Sequence, residues 1–192
     1  MNIEITKLDW FPANVFYCDL DELRMQELIN LVEKEKTNWK KNLNAVKAHT
    51  SGFTGLRYPI IEDLSNFIRF EILPEIEKNM EWRTEENHEW KCWEAWINYY
   101  QKGDKAELHN HTLVDYCAVL IVQPGEDSLI FHDYSSVNGL TGRFEKRRTE
   151  IIREKKGRLF FFPPWLHHEV KESPVERITV AFNFLNKHKD LI

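Results

Sequence analysis

The sequence predicts an α+β protein in which helices come first and a β-structure follows. Apolar residues recur at helical spacing only within the first ninety residues. From Trp90 onward the chain consists of short runs rich in Val, Ile, Phe, Tyr and Trp, separated by turn signals such as KGDK and QPGEDS. This order is typical of helices packed on one face of a sheet sandwich or barrel.

Two helices are predicted in the N-terminal part. The first covers residues 19–36, with Asp19 or Asp21 available as the N-cap. The second covers residues 60–80, where Pro74 is expected to kink or divide the helix because proline lacks the backbone N–H.

Seven strands are predicted after these helices. They cover residues 90–100, 106–111, 116–123, 129–132, 143–152, 159–162 and 177–184. A length of 192 residues suits one domain. We therefore expect a single domain over residues 1–192, with a helical part at 1–89 and a barrel at 90–186.

Composition indicates which partners and which cellular compartment to expect for this protein. The net charge of -5 argues against nucleic acid, and the basic cluster RFEKRR at residues 143–148 is local. Three cysteines without a CxxC pair indicate neither a disulfide framework nor a cysteine zinc site. With no leader-like or membrane-spanning apolar run in view, we expect a cytoplasmic protein that does not enter a membrane.

One candidate metal site lies in the stretch ELHNHTLVDYCAVLIV. His109 and His111 are two residues apart, so on a strand both imidazoles face one side. A third ligand would come from elsewhere, and LFFFPPWLHHEV offers His167 and His168 after a buried-looking strand and a turn. The other interpretation of such a pair is a polar surface feature where a strand begins.

Several segments in fixed order resemble the 2-oxoglutarate and Fe(II)-dependent oxygenase superfamily, and most closely its small members from bacteria and phages. These are LDWFPANVFYCDL, AWINYY, GDKAELHNH, CAVLIV, GRLFFFPPWLHHEV and RITVAFNF, which together span nearly the whole chain. The resemblance implies a double-stranded β-helix, that is, a jelly-roll or cupin-like barrel, with the N-terminal helices packed on its sheet.

The resemblance also implies a site and an activity. It places metal ligands at His109, His111 and His168, with His167 pointing away, and co-substrate contacts at Arg177 and Thr179. The cofactors would be Fe(II) and 2-oxoglutarate. The reaction would be a hydroxylase-type oxidation of an unidentified substrate with release of succinate and CO2.

His111 departs from the superfamily pattern, which has a carboxylate at this position. A neutral imidazole there raises the net charge of the site and changes its metal preference. Asp115 is the alternative carboxylate ligand, but four residues further on a continuous strand it would lie about 13 Å away. Asp115 reaches the metal only if the chain turns at TLVD.

Other residues complete the predicted pocket. Arg177 suits a carboxylate because its planar fork makes two hydrogen bonds, and Thr179 shares its strand face. Tyr99 is expected to face the same pocket, although core packing is its other interpretation. His132 and Asp133 are treated as barrel-edge residues, and residues 134–148 as a loop over the barrel mouth.

Two further classes of protein fit the same residues. The spacing of Gly103, His109, His111 and Asp115 resembles a cupin motif, which would give a metal-dependent enzyme that does not use 2-oxoglutarate. A barrel that has lost catalysis and acts as a binding module is the third possibility. The sequence leaves the substrate and the oligomeric state open.

Overall fold

The computed structural model describes residues 4–8, 13–42, 44–53, 55–79, 89–133 and 148–187. Its helices are α1 (Glu22–Glu35), α2 (Pro59–Phe67) and α3 (Leu73–Lys78). Its strands are β1 (Thr6–Leu8), β2 (Val15–Asp19), β3 (Lys40–Lys41), β4 (Val46–Lys47), β5 (His49–Thr50), β6 (Glu89–Tyr100), β7 (Lys105–His109), β8 (Tyr116–Gln123), β9 (Leu129–Asp133), β10 (Arg148–Ile151), β11 (Arg158–Phe162), β12 (His167–Val170) and β13 (Arg177–Lys187).

Helix α1 begins where the sequence offered two caps. Asp21 is the N-cap, and its carboxylate accepts a hydrogen bond from the Arg24 N–H at 3.2 Å. Met25, Leu28 and Val32 form its buried face. These three positions keep the helical spacing that predicted the element.

The second predicted helix is divided, as Pro74 indicated. A π-helical turn at Ile68–Ile72 joins α2 to α3, and Pro74 lies in the first turn of α3. Because proline cannot donate to the preceding turn, the regular helical hydrogen bonding stops just before it. Ile61, Leu64, Ile68, Ile72 and Ile76 are nonetheless all buried.

The described strands form two antiparallel sheets. The larger has eight strands in the order β1-β2-β11-β8-β13-β6-β5-β3, and the smaller has five in the order β10-β9-β12-β7-β4. Strand β8 has the predicted bounds, whereas β7 ends two residues earlier than predicted. Strands β1 to β5 and β12 were not among the seven predicted strands, so the N-terminal part predicted to be helical also supplies strands to both sheets. Residues 143–147 of the predicted strand 143–152 lie outside the described residues.

The larger sheet separates two apolar cores. One face, including Ile97, Leu120 and Phe182, packs against the helices, while the other face, including Ile121 and Phe160, packs against the smaller sheet. The layers are therefore helices, larger sheet and smaller sheet, which confirms the α+β class and the position of the helices on the sheet. Strands β2, β6, β8 and β11 of this layer each contribute side chains to both cores.

None of the helices in the described ranges is long and apolar enough to span a membrane.

Candidate metal centre

Three histidines converge on the side of the smaller sheet that faces the larger one. His109 ends β7, and His168 on β12 is its cross-strand partner. His111 lies two residues past the end of β7, where its backbone N–H donates to the Pro164 carbonyl at 2.9 Å. One ring nitrogen from each histidine lies within 4.8 Å of the others, which is close enough to share one ion.

A β-bulge sets the direction of His109. The three residues of β12 from His168 to Val170 lie opposite four residues of β7, from His109 to Ala106. The extra residue lets Ala106 and His109 share the inward face, where strict alternation would have placed Leu108. Leu108 is accordingly 42% exposed.

Backbone carbonyls orient two of the three rings. His109 Nδ1 lies 2.6 Å from the Glu107 carbonyl oxygen, and His168 Nδ1 lies 3.0 Å from that of Leu166. In the tautomer that these carbonyls favour, Nδ1–H donates and Nε2 keeps its lone pair. Nε2 of both rings is thus the atom prepared to ligate a metal.

Side chains, in contrast, hold His111. The Asn183 side chain forms a hydrogen bond with it that acts to raise its pKa. Asn183 Nδ2 donates to Glu94 Oε2 at 3.1 Å, and Cys117 Sγ donates to Asn183 Oδ1 at 3.4 Å. Trp96 stacks on the His111 ring with centroids 6.0 Å apart.

Sequence reasoning missed these supporting residues. A usable signal was present, because Asn183 is six residues beyond Arg177 and so shares its strand face. Glu94 is the cross-strand partner of Asn183 on β6.

Burial keeps the three imidazoles neutral. Desolvation, together with a smaller effect from the charge of a protonated His109, lowers the pKa of His111 to about 4. Desolvation also lowers the pKa of His109 and lowers that of His168 well below its ordinary value, although backbone hydrogen bonds oppose both shifts. Neutral imidazole is the form that binds a metal, so the cluster is ready to do so near pH 7.

Asp115, the alternative carboxylate ligand, lies outside this cluster. It is exposed, and its Oδ2 accepts a hydrogen bond from the backbone N–H of Asn186 at 2.6 Å. The chain does not fold back at TLVD to bring this carboxylate to the histidines. Among the described residues the cluster consists of three histidines and no acid.

The remaining polar candidates occupy the outer face of the smaller sheet. His167 is paired across the strands with His132 and alternates with His168, so it points away as expected. His132 Nε2 lies 2.9 Å from Glu169 Oε1. The Asp133 side chain and residues 134–147 of the loop predicted over residues 134–148 lie outside the described residues, while Arg148 begins β10.

Arg177 begins β13 on the inner face and is 1% exposed. Its Nε donates to both carboxylate oxygens of Glu154, at 3.0 and 3.1 Å, and Tyr100 lies under its guanidinium at 5.0 Å. Sequence reasoning expected a cation available to a co-substrate and did not foresee Glu154. Nη2 of the guanidinium lies 2.9 Å from Glu154 Oε1 in this ion pair, and it has no hydrogen-bond partner.

The next cross-strand pair toward the histidines is also polar. Thr179 and Asn98 face each other on β13 and β6, and both are almost fully buried. Asn98 Oδ1 has no hydrogen-bond partner. Two adjacent pairs on one sheet face therefore carry buried polar atoms that the protein itself does not satisfy, which is unusual unless a ligand meets them.

Tyr99 requires a correction, because it does not face this pocket. It belongs to the core on the helical side, its hydroxyl donates to Glu176 Oε1 at 2.5 Å, and Lys36 lies over its ring at 4.9 Å. The turn between β6 and β7 interrupts the alternation of side chains. Counting alternate residues back from His109 therefore assigns Tyr99 to the wrong face of β6. Tyr100 is the tyrosine on the inner face.

Comparison with known proteins agrees with this arrangement. Residues 94–183 match the family described as "Putative 2OG-Fe(II) oxygenase". No curated protein matches the sequence.

Several solved structures share the fold. The α-ketoglutarate-dependent epimerase SnoN from nogalamycin biosynthesis has a TM-score of 0.67 at 10% identity, with 89% of this chain and 77% of that chain covered. A Pseudomonas putida prolyl-4-hydroxylase has a TM-score of 0.62 at 12% identity, with 96% and 93% covered. HygX from Streptomyces hygroscopicus, solved with nickel and 2-oxoglutarate, has a TM-score of 0.60 at 11% identity, with 88% and 81% covered.

The chain thus has the fold of these solved structures, and its histidine cluster could hold one metal ion. More particularly, the family match over residues 94–183 and the shared fold support assigning this chain to the 2-oxoglutarate and Fe(II)-dependent oxygenase superfamily.

Proposed function

We propose that this protein is a hydroxylase-type oxygenase that uses Fe(II) and 2-oxoglutarate to oxidise a bound substrate, with release of succinate and CO2. The observation that carries the proposal is the convergence of three neutral imidazoles on the inner face of the smaller sheet, while the facing side of strand β13 in the larger sheet carries Arg177 and Thr179. We further propose that residues 1–192 form one domain and that the two sheets make a double-stranded β-helix.

The residues present fit both cofactors. Three imidazole nitrogens suit a divalent iron, and a buried arginine with Nη2 unsatisfied suits a carboxylate. Once bound, iron and the keto acid supply the oxidation, because no protein side chain carries such chemistry. His109, His111 and His168 would hold the metal, while Arg177 and Thr179 would orient the keto acid.

Apolar side chains would exclude water from the metal. The rings of Phe162 and Phe131 lie edge-on to His168, with centroids 4.9 and 6.1 Å away, and Trp96 covers His111. Excluding water strengthens electrostatic contacts in the site and prevents side reactions.

We propose His111, not Asp115, as the third ligand. Replacing His111 with Ala should weaken Fe(II) binding by about 100-fold or more, because one of three ligands is lost. Asp115→Ala is the matched control and should bind iron as the wild type does, since its carboxylate is used on β13. Anaerobic equilibrium titration with Fe(II) measures both, and a weaker site in Asp115→Ala with an unchanged one in His111→Ala would reverse the assignment.

The co-substrate is tested by anaerobic spectroscopy. Wild type with Fe(II) should develop a visible metal-to-ligand charge-transfer band when 2-oxoglutarate is added. Arg177→Ala should need much more 2-oxoglutarate, whereas Arg158→Ala, which removes a surface arginine paired with Asp19, should behave as wild type. Iron bound without any band would contradict the use of 2-oxoglutarate.

One pair of observations favours a second candidate, a metal-dependent enzyme that does not use 2-oxoglutarate. The cluster lacks a carboxylate among the described residues, and Arg177 already has an acidic partner in Glu154. The same experiment separates the two functions, because this candidate predicts tight iron binding and no band.

A further inference from the structure

Glu154 is a carboxylate with no exposed side-chain surface, buried beside the proposed co-substrate site. Its Oε2 accepts from the Gly125 N–H at 2.8 Å, and its Oε1 accepts from the Leu129 N–H at 3.2 Å. Arg177 Nε adds a donor to both oxygens. Glu154 is therefore fixed by the backbone of the β8–β9 connection and does not depend on Arg177 for its position.

The partners of Glu154 are all donors. A glutamine at this position would keep the size of the side chain but would turn one oxygen into an N–H₂ group that faces other N–H groups. Losing a good acceptor in a buried place leaves those donors unsatisfied, which is costly. The surroundings of residue 154 therefore favour a carboxylate over the amide of the same shape.

Arg177 is enclosed on three sides. Glu154 covers the Nε edge of the guanidinium, and the Tyr100 ring covers one face. The backbone of Gly125 passes so close that an added Cβ would lie 2.6 Å from Arg177 Cδ. The terminal edge of the guanidinium includes Nη2, which lies 2.9 Å from Glu154 Oε1 and has no hydrogen-bond partner.

We propose that Glu154 is a positioning residue for the co-substrate: it holds the Nε edge of Arg177 so that the terminal edge is presented to the far carboxylate of a dicarboxylic keto acid. The inference rests on the proposed function. An arginine has five N–H donors in a fixed fork, so it can serve two carboxylates on two different edges.

The negative charge of Glu154 also helps to position Arg177 when no ligand is bound. A buried guanidinium without a counter-ion is costly, and such an arginine turns toward any acceptor within reach. The fixed carboxylate removes this cost and keeps the fork in place before the ligand arrives. Affinity for the keto acid then rises because less ordering is needed on binding.

The test is 2-oxoglutarate binding to the Fe(II)-loaded protein under anaerobic conditions, followed by the charge-transfer band. Glu154→Gln should raise the Kd for 2-oxoglutarate by about tenfold or more. The Kd for Fe(II) alone should stay within about twofold, because Glu154 does not contact the histidine cluster. In an Arg177→Gln background the same Glu154→Gln change should have little further effect on 2-oxoglutarate binding, since Glu154 acts through Arg177.

Two results would overturn the proposal. If Glu154→Gln binds 2-oxoglutarate as tightly as wild type or more tightly, Glu154 competes with the ligand or is neutral toward it. If the effect is equally large in the Arg177→Gln background, Glu154 acts on the fold and not through Arg177. Failure of the proposed function looks different, because the wild type itself would then give no band.

Gly125→Ala provides a second variant in case Glu154→Gln does not fold. It changes no charge, yet its Cβ would displace the Arg177 side chain. We expect this variant to raise the Kd for 2-oxoglutarate while leaving the Kd for Fe(II) unchanged. An unchanged Kd for 2-oxoglutarate in Gly125→Ala would show that the position of Arg177 does not matter and would overturn the proposal.

Discussion

His111 differs from its two neighbours in the way its ring is held. The rings of His109 and His168 form hydrogen bonds with backbone carbonyls, which no side-chain substitution can remove. His111 relies on the Asn183 side chain, which Glu94 and Cys117 hold in turn. Partners of metal-bound histidines contribute strongly to metal affinity, so Asn183 is the sensitive point of the cluster.

We predict that Asn183→Ala weakens Fe(II) binding by about 10- to 100-fold. The alanine leaves the His111 ring without its partner and leaves the Glu94 carboxylate without the Nδ2 donor. Anaerobic Fe(II) titration measures the loss, and Asn186→Ala, three residues further along β13, is the control. Equal Fe(II) affinity in Asn183→Ala and wild type would mean that Trp96 stacking alone is enough to hold His111.

At the scale of elements, strands β2 and β11 are joined by a small charge network at their ends. Asp19 accepts hydrogen bonds from Arg158 at 2.8 and 3.1 Å and from Lys155 at 2.7 Å. Arg158 also lies over the Tyr17 ring at 4.4 Å. The hydrogen bond from Arg158 contributes most to lowering the pKa of Asp19, although partial burial opposes it.

The sign of this shift gives a pH-dependent prediction. Because the folded-state pKa is lowered, the stabilisation is present above the unfolded-state pKa of about 4 and is lost as the pH falls through the folded-state value. Asp19→Asn should therefore lower the free energy of unfolding by less than about 1 kcal/mol at pH 7, since the network is partly solvated. The difference should disappear at low pH.

Urea denaturation at several pH values measures this difference. Asp63→Asn, an exposed position on α2, is the control for removing one negative charge. A destabilisation of Asp19→Asn that stayed constant down to low pH would mean that the asparagine perturbs packing and not the ion pairs.

The elements also show what the sequence could predict. Strand β8 was predicted residue for residue because its run YCAVLIVQ is apolar and flanked by turn signals. Strand β12 was missed because HHEV is short and polar, and only pairing with β7 and β9 on its two sides makes it a strand. The bulge in β7 leaves no local signal, since it exists only in relation to β12.

The candidate site likewise has residues that the sequence could predict and residues that it could not. The histidine triad could be named from spacing and resemblance, because its members lie in motifs with fixed order. Glu154 could not, since its partners Gly125, Leu129 and Arg177 lie 29, 25 and 23 residues away in sequence. Contacts between segments far apart in sequence produce no periodic residue pattern from which they could be predicted.

At the scale of the whole molecule, the larger sheet is shared by both cores. Along β13, Ile178, Val180 and Phe182 pack toward the helices, while Arg177 and Thr179 face the smaller sheet. Neither core can lose its packing without disturbing strands that the other core uses. We therefore expect the helical layer and the metal-binding layer to unfold as one cooperative unit.

The three cysteines report on this cooperativity. Cys18 and Cys92 lie in the core under the helices, and Cys117 lies in the core between the sheets. Burial raises the pKa of Cys18 and that of Cys92 to about 12, and it also raises the pKa of Cys117. Because the thiolate is the reactive form, all three should resist alkylation in the folded protein at pH 8.

Unfolding should expose all three thiols together. We predict that Cys92 and Cys117 become reactive toward a thiol reagent at the same urea concentration, with each site followed by mass spectrometry after short labelling pulses. A shared midpoint that coincides with the loss of circular dichroism is the result expected of a single unit. If Cys117 reacted at lower urea than Cys92, the metal-binding layer would open while the helices stay packed, and the larger sheet would not couple the two cores.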